Sequence, residues 1–441
     1  MKSSWFRAAF LLTAAGWGAN QFSSLLTAYG IHLGLSPTTV TSLFAVYVAG
    51  LLPGLLLGGP VADRLGRRPV AFGAIGISAV GTAALMLGPA GTPWLFAGRL
   101  LTGLSTGAAL AAGSAWVKEL SADLGSGARR AGLLLSAGFS ASGLVSAAIA
   151  QWLPHPMVTA YIPHLVLCAG AFALAASVPE TRPVPVASAP RASGIRDPRF
   201  RWLVVPVAPW VFLAPSVGFG VLPGLVDGGL TGFETIYAGI ATAVTPGSGL
   251  LTQPLARRLA ARRATAPAVA GLLTVAAGLA LAVPAVLGSA PVTALAADLL
   301  LGGGYGMLVT YCLTEVGRIA PPSRLAWLTA VFWVLAYVGF CAPFAFALLT
   351  GIASPPVILA VTAALALLTC ALVAGRSARD QADGDRQERR RADHVQRLGE
   401  PRVPQPVGDA RGGEHDGQLP PGGQHQEDDR EPDQLHGGVG R

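Results

Sequence analysis

The sequence predicts an all-α polytopic membrane protein: twelve transmembrane helices, then a disordered C-terminal tail. Three observations carry this. The chain of 441 residues is 52% hydrophobic and only 12% charged, too few charges to cover that much apolar material in water. The apolar residues fall into twelve runs of about 18–26 residues, each long enough to cross a bilayer with some tilt. The basic residues occupy alternate connections between the runs, the pattern that fixes membrane orientation.

In chain order the expected spans are 8–29, 40–62, 70–87, 94–117, 131–153 and 160–178, forming an N-terminal bundle within 1–178. Apolarity then stops. Residues 179–200 hold Pro179, Pro183, Pro185, Pro190 and Pro198 among charges and read as a linker. Spans at 202–226, 233–255, 266–287, 291–316, 325–349 and 353–374 form a C-terminal bundle within 201–375. Lys2 and Arg7 before the first run imitate a signal peptide. That run reaches Tyr29 and further spans follow, so an uncleaved helix is expected.

With the N-terminus in the cytoplasm, Arg64, Arg67, Arg68, Lys118, Arg129, Arg130, Arg257–Arg263, Arg318, Arg324 and the arginines of the linker all lie inside. The opposite connections hold no Lys or Arg. The expectation is a multi-pass plasma-membrane protein with both termini cytoplasmic. The formal charge of +8 does not mark a nucleic-acid binder, because the bases cluster between apolar runs rather than on one patch. Cys168, Cys312, Cys341 and Cys370 all fall inside apolar runs, as buried thiols without disulfide or metal spacing.

The turn between the second and third spans reads Gly58, Gly59, Pro60, Val61, Ala62, Asp63, Arg64, Leu65, Gly66, Arg67, Arg68, Pro69. Four charges in six residues belong at the water interface. Gly59, Asp63, Arg64, Gly66, Arg67 and Arg68 resemble the signature between helices 2 and 3 of the major facilitator superfamily of transporters. That resemblance implies two six-helix halves with the substrate site between them near the midplane. A weaker copy follows the eighth span as Pro254, Leu255, Ala256, Arg257, Arg258, Leu259. It lacks the acid and the glycine, so the first copy is the better candidate for a gate. In the family arrangement Asp63 lies near the start of the eleventh helix at residues 322–324. Arg67 or Arg68 is expected to bridge to an acid such as Glu119.

Charge within a span is costly and marks candidate function. Arg99 stands inside the fourth span in Arg99, Leu100, Leu101, Thr102, Gly103, resembling the superfamily's helix 4 signature; snorkelling to the outer interface is its bland alternative. Asp298 holds the matching place in the tenth span. The pair is expected to meet across the cavity in one state, each offsetting the other's desolvation. Asn20 and Gln21 sit mid-span in the first run, placed either for substrate contact or for interhelical hydrogen bonds. Tyr305, with Trp210, Tyr311 and Trp333, would line an aromatic cavity or simply pack. His164 and Glu234 fall near outer helix ends, facing water. Glycines at spacing four, such as Gly50, Gly54 and Gly58, point to close helix packing, with sliding seams during transport as the functional alternative.

The expected function is secondary active transport of a small molecule by alternating access, with a proton or other coupling ion, by a monomer in the lipid bilayer. No phosphate-cradling motif suggests ATP-driven transport, no cofactor is called for, and no zinc or serine-hydrolase set suggests an enzyme. A non-transporting receptor on the same scaffold is the alternative. The fifth span lacks the Gly-Pro pair of the superfamily's drug–proton antiporters. Pro179, Glu180, Thr181, Arg182 resemble a short sugar-porter motif, too little to assign a sugar. The tail, 376–441, lacks Phe, Tyr and Trp and is expected to be disordered, with a short surface helix at Arg386–Arg391.

Overall fold

The computed structural model describes residues 4–121, 124–181, 195–320 and 325–399. Among them every regular element is helical: α1 (Ser4–Asn20), α2 (Leu26–Leu33), α3 (Pro37–Leu65), α4 (Arg67–Met86), α5 (Thr92–Glu119), α6 (Leu124–Trp152), α7 (Pro156–Thr159) and α8 (Ile162–Ala175) come first. Then follow α9 (Ala208–Gly220), α10 (Leu222–Leu225), α11 (Glu234–Arg262), α12 (Ala266–Leu287), α13 (Pro291–Ile319), α14 (Leu325–Val338), α15 (Ala342–Leu349) and α16 (Pro355–Gly399).

The start of α3 shows how local chemistry sets an element. Ser36 is the N-cap and accepts from the Thr39 amide at 3.2 Å, and Pro37 opens the helix where a missing N–H costs nothing. The helix stops at Gly66, whose φ of +107° only glycine adopts without strain, and the chain turns directly into α4.

Ten helices among the described residues are long and apolar enough to cross a membrane, where twelve spans are expected. The other two have physical causes. The first run is broken: α1 ends at Asn20 and a 3₁₀ turn at Ser23–Leu25 leads into α2. The second, α11, carries Glu234, Arg257, Arg258 and Arg262 with many Gly, Thr and Pro residues, which dilute its apolarity. The outer surface is apolar, as lipid contact requires: Leu57, Val80, Leu251, Val292 and Ile352 are all exposed.

Small residues hold the helices close. A Cβ on Gly50 of α3 would collide with the Leu100 carbonyl of α5, and one on Gly103 of α5 with the Tyr47 carbonyl of α3. The second half repeats the seam, where Gly302 and Gly306 of α13 lie against the Thr245 and Gly249 carbonyls of α11. One buried apolar cluster is drawn entirely from residues 8–178 and the largest from residues 200–373. A further cluster mixes Phe44, Tyr47 and Leu51 with Phe219, Tyr337 and Phe340.

Residues 1–384 form one compact unit and 385–441 a second, whose described part is the end of α16. The tail expected to be disordered from 376 is therefore helical as far as Gly399, because α16 continues past its apolar part into an Arg-, Asp- and Gln-rich stretch. The proposed surface segment Arg386–Arg391 lies inside that helix. Residues 400–441 lie outside the described residues, as does 182–194, most of the expected linker.

Candidate functional site

Two places gather the sequence's candidate residues. The first is the turn between α3 and α4. Asp63, in the last turn of α3, and Arg67, the first residue of α4, pair at 2.6 Å across the Gly66 turn, and Arg67 Nε also reaches Glu119 of α5 at 3.1 Å. One guanidinium thus ties two carboxylates from two helices. The start of α4 leaves backbone N–H groups free, and the Glu180 carboxylate accepts them: from Arg67 at 2.7 Å and from Arg68 at 3.1 Å. In the sequence Glu180 is marked only by its place in the Pro179, Glu180, Thr181, Arg182 motif. It sits so close to Gly66 that a Cβ there would come within 2.6 Å of it.

The Glu180 segment is itself pinned, since Trp116 Nε1 donates to the Pro179 carbonyl at 3.0 Å and Thr181 donates to Glu119. Arg68 donates to the Ala176 carbonyl and lies over Phe72. Gly59 has open space where a Cβ would stand, and Arg64 is exposed. The partner expected for Asp63, the start of the eleventh span at 322–324, lies outside the described residues. The second half has its own ion pair, Arg318 with the fully buried Glu315 at 2.8 Å.

The second place is the middle of the bundle. Arg99 is the eighth residue of α5 and Asp298 the eighth of α13, about 10 Å along each helix at 1.5 Å per residue. Both are fully buried, so Arg99 does not snorkel. In this conformation no salt bridge joins them among the described residues; the expected pairing would belong to another state. Arg99 is instead solvated locally. Its guanidinium lies 4.4 Å from the ring centre of Phe22 and 4.3 Å from that of Tyr47, a cation–π sandwich. It donates to the Leu43 carbonyl at 3.3 Å and to that of Ala19 at 3.5 Å. Ala19 belongs to the last turn of α1, where the helix dipole favours a cation. One terminal nitrogen, Nη2, has no hydrogen-bond partner.

Asp298 has neither oxygen hydrogen-bonded. Its Oδ1 faces Gly218 of α9, beside Thr245 of α11. A buried carboxyl with both oxygens open is costly unless it is protonated or receives a cation or donor.

The break after α1 supplies the amides. Asn20 Nδ2 donates to the Phe139 carbonyl at 2.9 Å, and Gln21 reaches Thr82 at 3.2 Å. The oxygens of both amides have no partner, nor do Trp17 Nε1 and Ser23 Oγ in the same segment. Of the four candidate aromatics, Tyr305 and Trp333 flank Phe212 at 6.0 and 5.9 Å between ring centres. Trp210 turns away to Thr369 at 3.2 Å, and the Tyr311 hydroxyl is buried without a partner. Phe22, Tyr47, Phe212 and Tyr337 escaped the sequence reading because nothing in one sequence separates a ring against a guanidinium from a ring in a core.

His164, expected to face water, is fully buried between α1, α4 and α8. Glu234 does lie at a surface opening. That opening, about 570 Å³, is lined by His32, Gln151, Trp152 and Glu234.

A lipid-facing helical bundle with a charged turn at one end and buried charges at its centre defines a multi-pass membrane protein with a membrane-embedded polar site. The family model of the Major Facilitator Superfamily matches residues 8–343. The chain belongs to that superfamily and is a multi-pass membrane transporter. No curated protein matches it. Among solved structures it is similar to a POT family transporter in complex with a thioalcohol-conjugated peptide, with a TM-score of 0.70 at 13% identity, covering 86% of this chain and 96% of that one. A POT family transporter in complex with 5-aminolevulinic acid gives a TM-score of 0.69 at 14% identity, covering 86% and 96%. A mutant of the nucleoside transporter NupG gives 0.66 at 15% identity, covering 84% and 98%.

Proposed function

We propose that this protein is a proton-coupled secondary transporter that moves a small molecule across the plasma membrane by alternating access. Twelve spans form two six-helix bundles, 1–178 and 201–375, joined by the 179–200 linker, with both termini cytoplasmic and the protein acting as a monomer. The two separate apolar clusters and the repeated glycine seam support two bundles, and the one-sided arginines support the orientation.

The observation that carries the reading is Asp298, a fully buried carboxyl with both oxygens unbonded, at the same register as Arg99. Asp298 is the coupling site, and Arg99, Asn20, Gln21 and Tyr305 border the substrate path. The turn of Gly59, Asp63, Arg64, Gly66, Arg67 and Arg68, with Glu119, is the cytoplasmic gate; Glu180 joins it through its bonds to the start of α4. The solved neighbours include transporters bound to a peptide conjugate and to 5-aminolevulinic acid, and a nucleoside transporter. Small polar metabolites of those kinds therefore head the panel to test. Uptake into proteoliposomes under an imposed pH gradient, across peptides, amino acids, nucleosides and drugs, tests the reading. Accumulation that collapses with a protonophore supports it. Gradient-independent accumulation contradicts proton coupling.

A further inference from the structure

His164 is the one histidine buried in the bundle among the described residues, and its surroundings are all neutral. Its Nε2 lies 3.1 Å from the Ala14 carbonyl, which only accepts, so Nε2 carries the hydrogen. That leaves Nδ1 as an acceptor. Thr82 faces it at 2.7 Å and Gln21 Nε2 at 3.3 Å, both able to donate. Cys168 Sγ is 3.3 Å from Nε2. Gly18 of α1 packs directly on the ring: a Cβ there would stand 2.7 Å from Cε1 and Nε2.

No charge offsets a proton here. Cys168 is the other ionisable group on α8. On α1 and α4 the ionisable groups are Arg7, Arg67 and Arg68. Arg7 bonds Ser177 and Arg68 bonds the Ala176 carbonyl, about 18 Å along the helix from His164 at 1.5 Å per residue.

The neutral ring fits this conformation and the imidazolium does not. Protonation turns Nδ1 into a donor facing the Gln21 amide hydrogens. Thr82 can rotate to accept, but Gln21 has to turn its amide to present Oε1, which has no partner in the present arrangement. Gln21 is the first residue past the end of α1, two residues from Ala19, whose carbonyl receives Arg99. A proton on His164 therefore acts on the break in the first span and, through it, on the buried guanidinium.

We propose that His164 is a second proton-binding site, distinct from Asp298, whose protonation releases the α1 break from the conformation seen here. The proposal rests on the transport reading above, but its test needs no transport. Purified protein in nanodiscs, carrying a spin-label pair across the opening between Gln151 of α6 and Glu234 of α11, is followed by distance measurement between pH 8 and pH 3, since a buried ring with no charge to offset its proton binds one only in acid. The background carries Asp298→Asn to remove the other site. Acidification is expected to shift the distance distribution in this background, and adding His164→Asn to abolish the shift. Gln21→Glu, which offers Nδ1–H a carboxylate, is expected to move the midpoint up by about one pH unit or more. A shift that persists with His164→Asn, no shift in Asp298→Asn alone, or an unmoved midpoint in Gln21→Glu would each overturn the proposal. Loss of proton-driven uptake without any of these results would instead contradict the transport reading.

Discussion

Arg99 and Asp298 occupy the same register, the eighth position of α5 and of α13, yet no ion pair joins them. Each sits in its own environment: rings and carbonyls around the guanidinium, and no hydrogen-bond donor at either oxygen of the buried carboxyl. The two sites are therefore independent in this conformation. In a double-mutant cycle of Arg99→Gln and Asp298→Asn, the losses of thermal stability should add to within about 0.5 kcal/mol. A coupling above about 1 kcal/mol would mean that a second, well-populated conformation joins them.

The Gly66 turn depends on two things at once, a positive φ and the Glu180 carboxylate packed against its Cα. Gly66→Ala should cost about 1–3 kcal/mol from backbone strain and also displace Glu180. Glu180→Gln, which keeps an acceptor, should cost less than Glu180→Ala, whose loss should be about 1 kcal/mol at this exposed helix start. Thermal unfolding of the three variants in detergent gives the order. Equal effects of Gln and Ala would remove the hydrogen bonds to α4 from the account.

Gln151 of α6 spans to the segment before and within α11: its amide donates to the Gly232 carbonyl at 2.8 Å and its oxygen accepts from the Ile236 amide at 3.2 Å. Glu234 accepts from the Gly232 amide at 2.8 Å and stiffens the same loop. Gln151→Ala should loosen this end by about 1–2 kcal/mol, a roughly five- to thirty-fold change in the open-to-closed ratio. Labelling of a single cysteine at position 235 should speed up accordingly. An unchanged rate would show that other contacts close this end.

Sidedness is tested separately. On a cysteine-free background, a membrane-impermeant thiol reagent outside intact cells should label position 227 and leave position 262 untouched. Labelling at 262 would invert the topology.

The all-helical, membrane-spanning character was readable because its signals are long and redundant: apolar runs, and glycines spaced to let α3 and α5 touch. The break after Asn20 was not: Gln21, Ser23 and Ser24 are polar, but polar residues also stand inside helices that run on unbroken, such as Thr102, Ser105 and Thr106 of α5. The paired depth of Arg99 and Asp298 was legible from the cost of charge in a span. Their separation was not, because sequence gives register along each helix but not which way a side chain leans across the bundle. His164 shows the same limit: its partners Gln21, just past α1, and Thr82, on α4, lie 143 and 82 residues away in sequence. Glu180 was visible only as part of a short motif, because its ligands are backbone amides, which carry no sequence signal.

Asp298 is proposed to carry the coupled proton. Proteoliposomes with a trapped pH indicator measure it directly, once a substrate has been found on the panel. Adding substrate should drive proton movement together with substrate in the wild-type protein. Asp298→Asn should abolish that proton movement and gradient-driven accumulation while leaving substrate exchange measurable. An Asp298→Asn protein that still moves protons with substrate at the wild-type ratio would contradict the account.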